Sequence, residues 1–222
     1  MPARRPRLLL LNASLAGDAG NTAVLLTRAR RLLARRATVE ALTLAPRPDA
    51  AVSHVSALNA RLRIGTGLSP QLAAALSRAD GLLIGTGTHW DSWSSVLQTF
   101  LEDATPTEGT ALWLGKPAAV VVSEHSTGGK GVLSRLQGVL VTLGCSIPPM
   151  SGFVLSRAAL LATAHAPDPT TTNDFWCEAD LRVVCHNLAE AARVTQPGAT
   201  PAHPRWRTWP VDRRDFAARW IP

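Results

Sequence analysis

Three short polar stretches hold most of the side chains and glycines that could do chemistry: NASLAGDAGNT (12–22), GTGTHWDSWSS (85–95) and SEHSTGG (123–129). In the first, the hydroxyls of Ser14 and Thr22 and the amide of Asn21 surround Gly20 just before a helical stretch. With the free N–H groups of a first helical turn they would make a phosphate site. The same residues also suit a plain helix start capped by Asn21 or Thr22, so both readings stay open at this point. The second stretch is no dinucleotide fingerprint, because Gly85 and Gly87 lack the third glycine of GxGxxG. A P-loop fails too: Gly115-Lys116 is followed by Pro117, and Gly129-Lys130 by Gly131. In the third, Ser123, Glu124 and His125 invite a hydrolase reading. Contiguous residues do not form a triad, however, and no GxSxG elbow is present.

The imidazole of His89 could hydrogen-bond a ligand or donate a proton; it could equally just fill space. Asp91 is expected at a helix start, where its charge complements the dipole. Trp93 is expected in the core or at an interface. Cys145, Cys177 and Cys185 contain no CxxC pair, so no metal site is expected and a reducing compartment fits.

These stretches need a frame. Continuous apolar runs at 8–12, 39–44, 81–86, 117–123 and 152–156 read as strands buried on both faces. Helical composition and spacing occupy 21–36, 70–79, 92–103, 130–143 and 174–194. Five β-α units predict an open, parallel, doubly wound α/β sheet with right-handed crossovers. Ligands in such sheets sit beyond the carboxyl ends of the strands, and the three polar stretches follow strands one, three and four. Residues 45–69 read as a long connection with one short helix from Val52 to Arg61. Residues 195–204 read as a linker, and 205–222 as a tail bearing Trp206, Trp209, Phe216 and Trp220, which docks on its own domain or on a partner subunit. The domain is placed at 1–200 and the Arg/Trp-rich tail at 201–222.

With 222 residues, 46% of them hydrophobic and 18% charged, one soluble domain is expected. The formal charge of +7 comes almost wholly from arginine, Lys116 and Lys130 being the only lysines. Such a surface attracts anions, but no nucleic-acid module is present and nucleic acid is not an expected partner. The start, MPARRPRLLLLNAS, imitates a twin-arginine export signal. Its apolar run stops after Leu11, short of the roughly 7–15 residues an export signal needs. A first strand behind a basic leader, and a cytoplasmic chain, are expected. No segment reaches the length of a membrane span.

The run ADGLLIGTGTHWDSWSSVLQTFLEDA (79–104) resembles the third-strand loop of the NADPH-dependent FMN reductase family. The matching residues are Ala79, Asp80, Gly85, Thr86, Trp90, Ser92, Ser94, Leu97, Phe100, Leu101 and Glu102. Ser14, Gly20, Asn21 and Thr22 resemble the family's phosphate loop. Gly115-Lys116-Pro117-Ala118 followed by VVVS and Thr127-Gly128-Gly129 resembles its fourth strand and third flavin loop. The resemblance covers roughly residues 8–150, and the combination in order is more specific than any piece. Gly87 stands where the family often has proline, His89 where an aromatic is common, and Ala16 where an arginine is frequent. The cysteines of the iron-sulfur branch are missing, so no cluster is expected.

The resemblance implies a flavodoxin-like sheet of order 2-1-3-4-5 with helices on both faces, FMN as cofactor and NAD(P)H as co-substrate. It implies a phosphate held by Ser14, Gly20, Asn21 and Thr22. Gly87, Thr88, His89 and Trp90 would lie along the flavin ring, and Ser123, Glu124, Thr127, Gly128 and Gly129 would approach its pyrimidine end. Hydride would pass from nicotinamide to flavin, then electrons to a flavin, quinone or other small acceptor. The flavin carries that chemistry, so no protein catalytic group is required, and His89 is the sole side-chain candidate. A homodimer or homotetramer is implied. The alternative reading is a flavodoxin-like scaffold without redox activity, acting as a binding or regulatory partner, including one for nucleic acid; Ala16, Gly87 and His89 are the features that favour it.

Overall fold

The computed structural model describes residues 4–45, 67–165 and 177–196. Five parallel strands run β1 (Arg7–Ala13), β2 (Thr38–Thr43), β3 (Gly81–Gly87), β4 (Ala118–Glu124) and β5 (Gly152–Ser156), in the order β2-β1-β3-β4-β5. The helices are α1 (Asn21–Leu33), α2 (Pro70–Arg78), α3 (Ser95–Ala104), α4 (Gly129–Leu143), α5 (Arg157–Ala164) and α6 (Glu178–Val194). Parallel neighbours cannot be joined by hairpins, so each crossover carries a helix, and the helices cover both faces.

The alternation of Cβ atoms along β1 sorts its leucines between the two layers. Leu9 and Leu11 pack with β3, β4, α2, α3 and α4 residues, whereas Leu8 and Leu10 join Leu25, Leu26, Leu33, Leu181 and Leu188 from α1 and α6. That two-sided burial is why the run reads LLLL without alternation. All seven residues of central β3 are buried, whereas edge strand β2 contains none that is buried.

The five expected strands and the helices expected at 21–36, 70–79, 92–103, 130–143 and 174–194 are found, with shifted ends. The helix expected at 92–103 starts at Ser95, because a tight turn occupies 89–92. That expected at 21–36 ends at Leu33, and residues 157–164 form α5, which sequence spacing had missed. The helix proposed at Val52–Arg61 and the tail at 205–222 lie outside the described residues.

At the amino ends of the strands the basic leader is built into the fold. Arg4 makes two 2.8 Å hydrogen bonds to the Asp80 carboxylate, which also accepts from the Arg7 backbone N–H and Gln196. Arg5 donates to the carbonyls of Ala34 and Arg35 past the end of α1.

Nearby, the Lys116 ammonium donates to the Leu76 carbonyl, and burial lowers its pKa from 10.5 to about 8. Burial pushes the thiols of Cys145 and Cys185 up from 9.0 to about 12. The unfolded chain thus holds the extra proton at Lys116 between pH 8 and 10.5, so that group makes stability rise with pH. The folded chain holds the extra protons on the two thiols above pH 9, so those groups make it fall. Urea midpoints measured across the alkaline range are expected to climb from pH 8 to 9 and then decline. Lys116→Met is expected to abolish the climb and keep the decline; an unchanged climb would refute the assignment.

Candidate functional site

The carboxyl ends of β1, β3 and β4 lie side by side, and the loops leaving them meet there. Loop one (14–20) begins at buried Ser14, whose Oγ accepts from the Ala16 N–H at 3.3 Å and so keeps its own proton free to donate. The residue before α1 is Gly20 rather than a polar cap, and no side chain caps that helix. Gly20 is tightly walled: a Cβ there would lie 2.8 Å from Ala16 Cβ and 3.2 Å from Ser14 Oγ. The expectation that Asn21 or Thr22 caps the helix is therefore corrected. Asn21 is exposed, and Thr22 is buried with its hydroxyl 2.8 Å from Ser123 Oγ.

Loop two (88–94) opens with a two-residue reversal. His89 N–H donates to the Ser92 carbonyl at 2.8 Å and Ser92 N–H to the His89 carbonyl at 2.9 Å. The residues between, Trp90 and Asp91, have φ of 49° and 57°. These are the signs of a type I′ turn, which favours Asn-Gly. Asp91 thus sits in a turn and not at the helix start where its charge was expected to act. Ser94 caps α3 by accepting from Leu97 N–H, and its hydroxyl donates to the Ala13 carbonyl at 2.5 Å, tying loop two to the end of β1. Trp93 is half-buried against the core, with Nε1 donating to Gln98 at 2.8 Å.

Gly87 and His89, two of the three departures from the family pattern, belong together. A Cβ on Gly87 would lie 3.2 Å from His89 Nε2 and 3.8 Å from Ser123 Oγ, so the imidazole occupies the space a side chain at 87 would need. Thr88 donates its backbone N–H to the Ser123 carbonyl at 2.8 Å, while its hydroxyl is buried without a partner. Trp90 lies fully in solvent, so the apolar area expected of it is presented outward.

Loop three (125–128) leads into α4 through Gly128, whose φ of 92° places it in the left-handed region. Its Cα faces Asp91, since a Cβ there would lie 2.2 Å from Asp91 Oδ1. The Glu124 carboxylate accepts from Gly129 N–H at 2.5 Å. Of the two helix starts at the site, α4 is thus already served by a carboxylate, whereas α1 has no side-chain cap on its first N–H groups. Thr127 is exposed beside them.

The fold brings the predicted residues into one cluster of loops, linked by the Thr22–Ser123 and Thr88–Ser123 hydrogen bonds. Sequence reasoning missed Arg135, which reaches loop two from α4, and Arg157, which lines a cavity of about 240 Å³ with Asn21, Ser123, Glu124 and leucines of β5 and α5. No periodicity signals such reach across the fold. A larger cavity, of about 500 Å³, lies past β2 beside Leu44, Ser69, Gln71 and Phe100 and contains none of the predicted residues. Lacking glycine-opened donors at an uncapped helix start, it does not match the chemistry of the three loops. Among the described residues no group of three His, Cys, Asp or Glu side chains is placed to hold a metal, and no helix is long and apolar enough to cross a membrane.

The sequence model of the NADPH-dependent FMN reductase family matches residues 6–159. No curated protein matches the chain in sequence. Among solved structures, RosB with a bound 8-demethyl-8-formylriboflavin-5'-phosphate intermediate is 17% identical with a TM-score of 0.59, covering 93% of this chain and 97% of that one. The flavoenzyme NAD(P)H:(acceptor) oxidoreductase FerB from Paracoccus denitrificans is 20% identical with a TM-score of 0.55, covering 84% and 97%. The NADH:FMN oxidoreductase EmoB, in its apo form, is 16% identical with a TM-score of 0.55, covering 88% and 92%. At these identities the likeness is one of fold.

Proposed function

The chain belongs to the NADPH-dependent FMN reductase family, an FMN-dependent oxidoreductase family with NAD(P)H as co-substrate, and from that premise we propose that its three loops hold FMN and serve a small-molecule acceptor. The observation that carries the assignment is the pair of helix starts: α4 is filled by Glu124, whereas α1 opens behind Gly20 with no side-chain cap. Residues fit the group. Ser14 Oγ–H, the Asn21 amide and the first N–H groups of α1 are the donors for a phosphate dianion, and the absence of a side chain at Gly20 gives it room. Thr22 holds Ser123, and through it the end of β4, at the same place.

Thr88, the His89–Trp90 backbone and Gly87 line one side of the ring slot, and Ser123, Glu124, Thr127, Gly128 and Gly129 line the other. The orphaned Thr88 hydroxyl supports that reading, because a buried donor without a partner implies one that arrives with the ligand. Bound there, FMN would supply the redox chemistry between NAD(P)H and a flavin, quinone or other small acceptor. The protein's part is to bind, orient and exclude water.

A homodimer or homotetramer is part of the proposal, supported by exposed Leu15, Trp90, Leu160 and Leu161 on loops one and two and α5. A cytoplasmic location is part of the proposal, in keeping with three free cysteines.

The purified protein is expected to be yellow or to become so on adding FMN, and to oxidise NAD(P)H anaerobically with an acceptor. A colourless protein that ignores FMN would sink the assignment. His89→Phe is expected to leave FMN bound with essentially unchanged affinity. If turnover also stays level with every acceptor, His89 fills space beside Gly87; a selective loss with acceptors that must take up a proton would make it the donor.

A further inference from the structure

The reversal at His89–Ser92 is closed by its own pair of backbone hydrogen bonds, yet it holds Trp90 and Asp91 at positive φ, and the Trp90 ring, fully in solvent, packs on nothing that would keep it there. Such strain persists only where surrounding structure imposes it. The imposing contacts come from α4 and loop three. Arg135 donates Nη2 to the Asp91 carbonyl, and its guanidinium carbon lies 5.7 Å from the Trp93 ring centroid. Trp93 is itself fixed by Gln98. On the other side, the Asp91 carboxylate lies over the bare Cα of Gly128.

We infer that Arg135 is a positioning residue of the cofactor site: acting through Asp91 and Trp93, it clamps the strained turn against loop three and so fixes the backbone of residues 88–90. The inference rests on the reading of loops two and three as the walls of the flavin slot. The guanidinium suits the task because its delocalised charge lies over the indole while one N–H of the fork points at a carbonyl. A lysine ammonium has no such fork and cannot do both in one pose. The clamp lies 44 residues along the chain from its target.

The test uses the whole chain with FMN, titrated by quenching of flavin fluorescence, and amide hydrogen exchange on the protein without FMN. Arg135→Ala is expected to weaken FMN binding about tenfold, equivalent to about 1.4 kcal/mol, and to speed exchange at the His89 and Ser92 amides. Arg135→Lys should rescue neither. Asp91→Gly removes the cost of positive φ, so adding Arg135→Ala to it should cost much less than in the wild type. Thermal unfolding of each variant identifies general loss of fold. Equal penalties in both backgrounds, rescue by lysine, or unchanged exchange would each overturn the clamp. Failure of the wild type to bind FMN would overturn the functional reading and the flavin-positioning role with it, while the exchange data would still report whether the clamp holds the turn.

Discussion

Gly20→Val is expected to lower FMN affinity by about two orders of magnitude, about 2.7 kcal/mol, with the fold retained. The backbone at Gly20, with φ −91° and ψ 167°, is one that valine adopts freely. Space is what it lacks. The new Cβ would lie 2.8 Å from Ala16 Cβ, an atom fixed to the backbone and unable to rotate away. Loop one must therefore shift, taking the Ser14 hydroxyl and the first N–H groups of α1 out of line. Each charge-assisted hydrogen bond to a phosphate is worth roughly 1.5–3 kcal/mol, so losing two reaches the stated size. Gly138→Ala is the control, because nothing lies within 4 Å of a Cβ there and α4 gains a better helix former. Flavin titration and thermal melts on both variants check the claim. Near-wild-type affinity in Gly20→Val would mean that the phosphate lies elsewhere.

Trp113→Ala is expected to be the most damaging change to stability, costing about 3–5 kcal/mol. Trp113 is fully buried, meets Phe100 edge-on with ring centroids 6.1 Å apart, and donates Nε1 to Thr107 Oγ1 at 2.8 Å. Alanine would leave a large cavity beneath α3, the helix whose start anchors loop two. At a size of 150–250 residues each kcal/mol shifts Tm by roughly 2–4 °C, so a drop on the order of 10 °C is expected in a thermal melt. A loss below about 1 kcal/mol would show that the site collapses around the gap.

Much of the fold was legible because strand burial leaves a mark in every run. Leu8–Leu11, Leu82–Ile84 and Val120–Val122 are apolar at each position since both faces of those strands are covered. The glycines and hydroxyls after strands one, three and four likewise placed the candidate site at the carboxyl edge. By contrast α5, RAALLATA, has no fully buried residue and so no apolar stripe that spacing could reveal. Asp91 was misplaced because a polar residue before a helical pattern reads as a helix start. Its place in a turn at positive φ, in contact with Arg135 and Gly128, involves residues that lie far along the chain.

By itself, then, the sequence determined the parallel α/β order, the family and the three loops that carry the candidate site, because periodicity and glycine placement are local records of burial and turning. Only the tertiary structure decided that Glu124 serves α4 while α1 stays uncapped, that Ser94 ties loop two to Ala13, and that the imidazole of His89 lies beside Gly87. Those outcomes depend on which side chains meet across neighbouring strands and helices. That register is fixed by packing the whole sheet and is written in no single stretch.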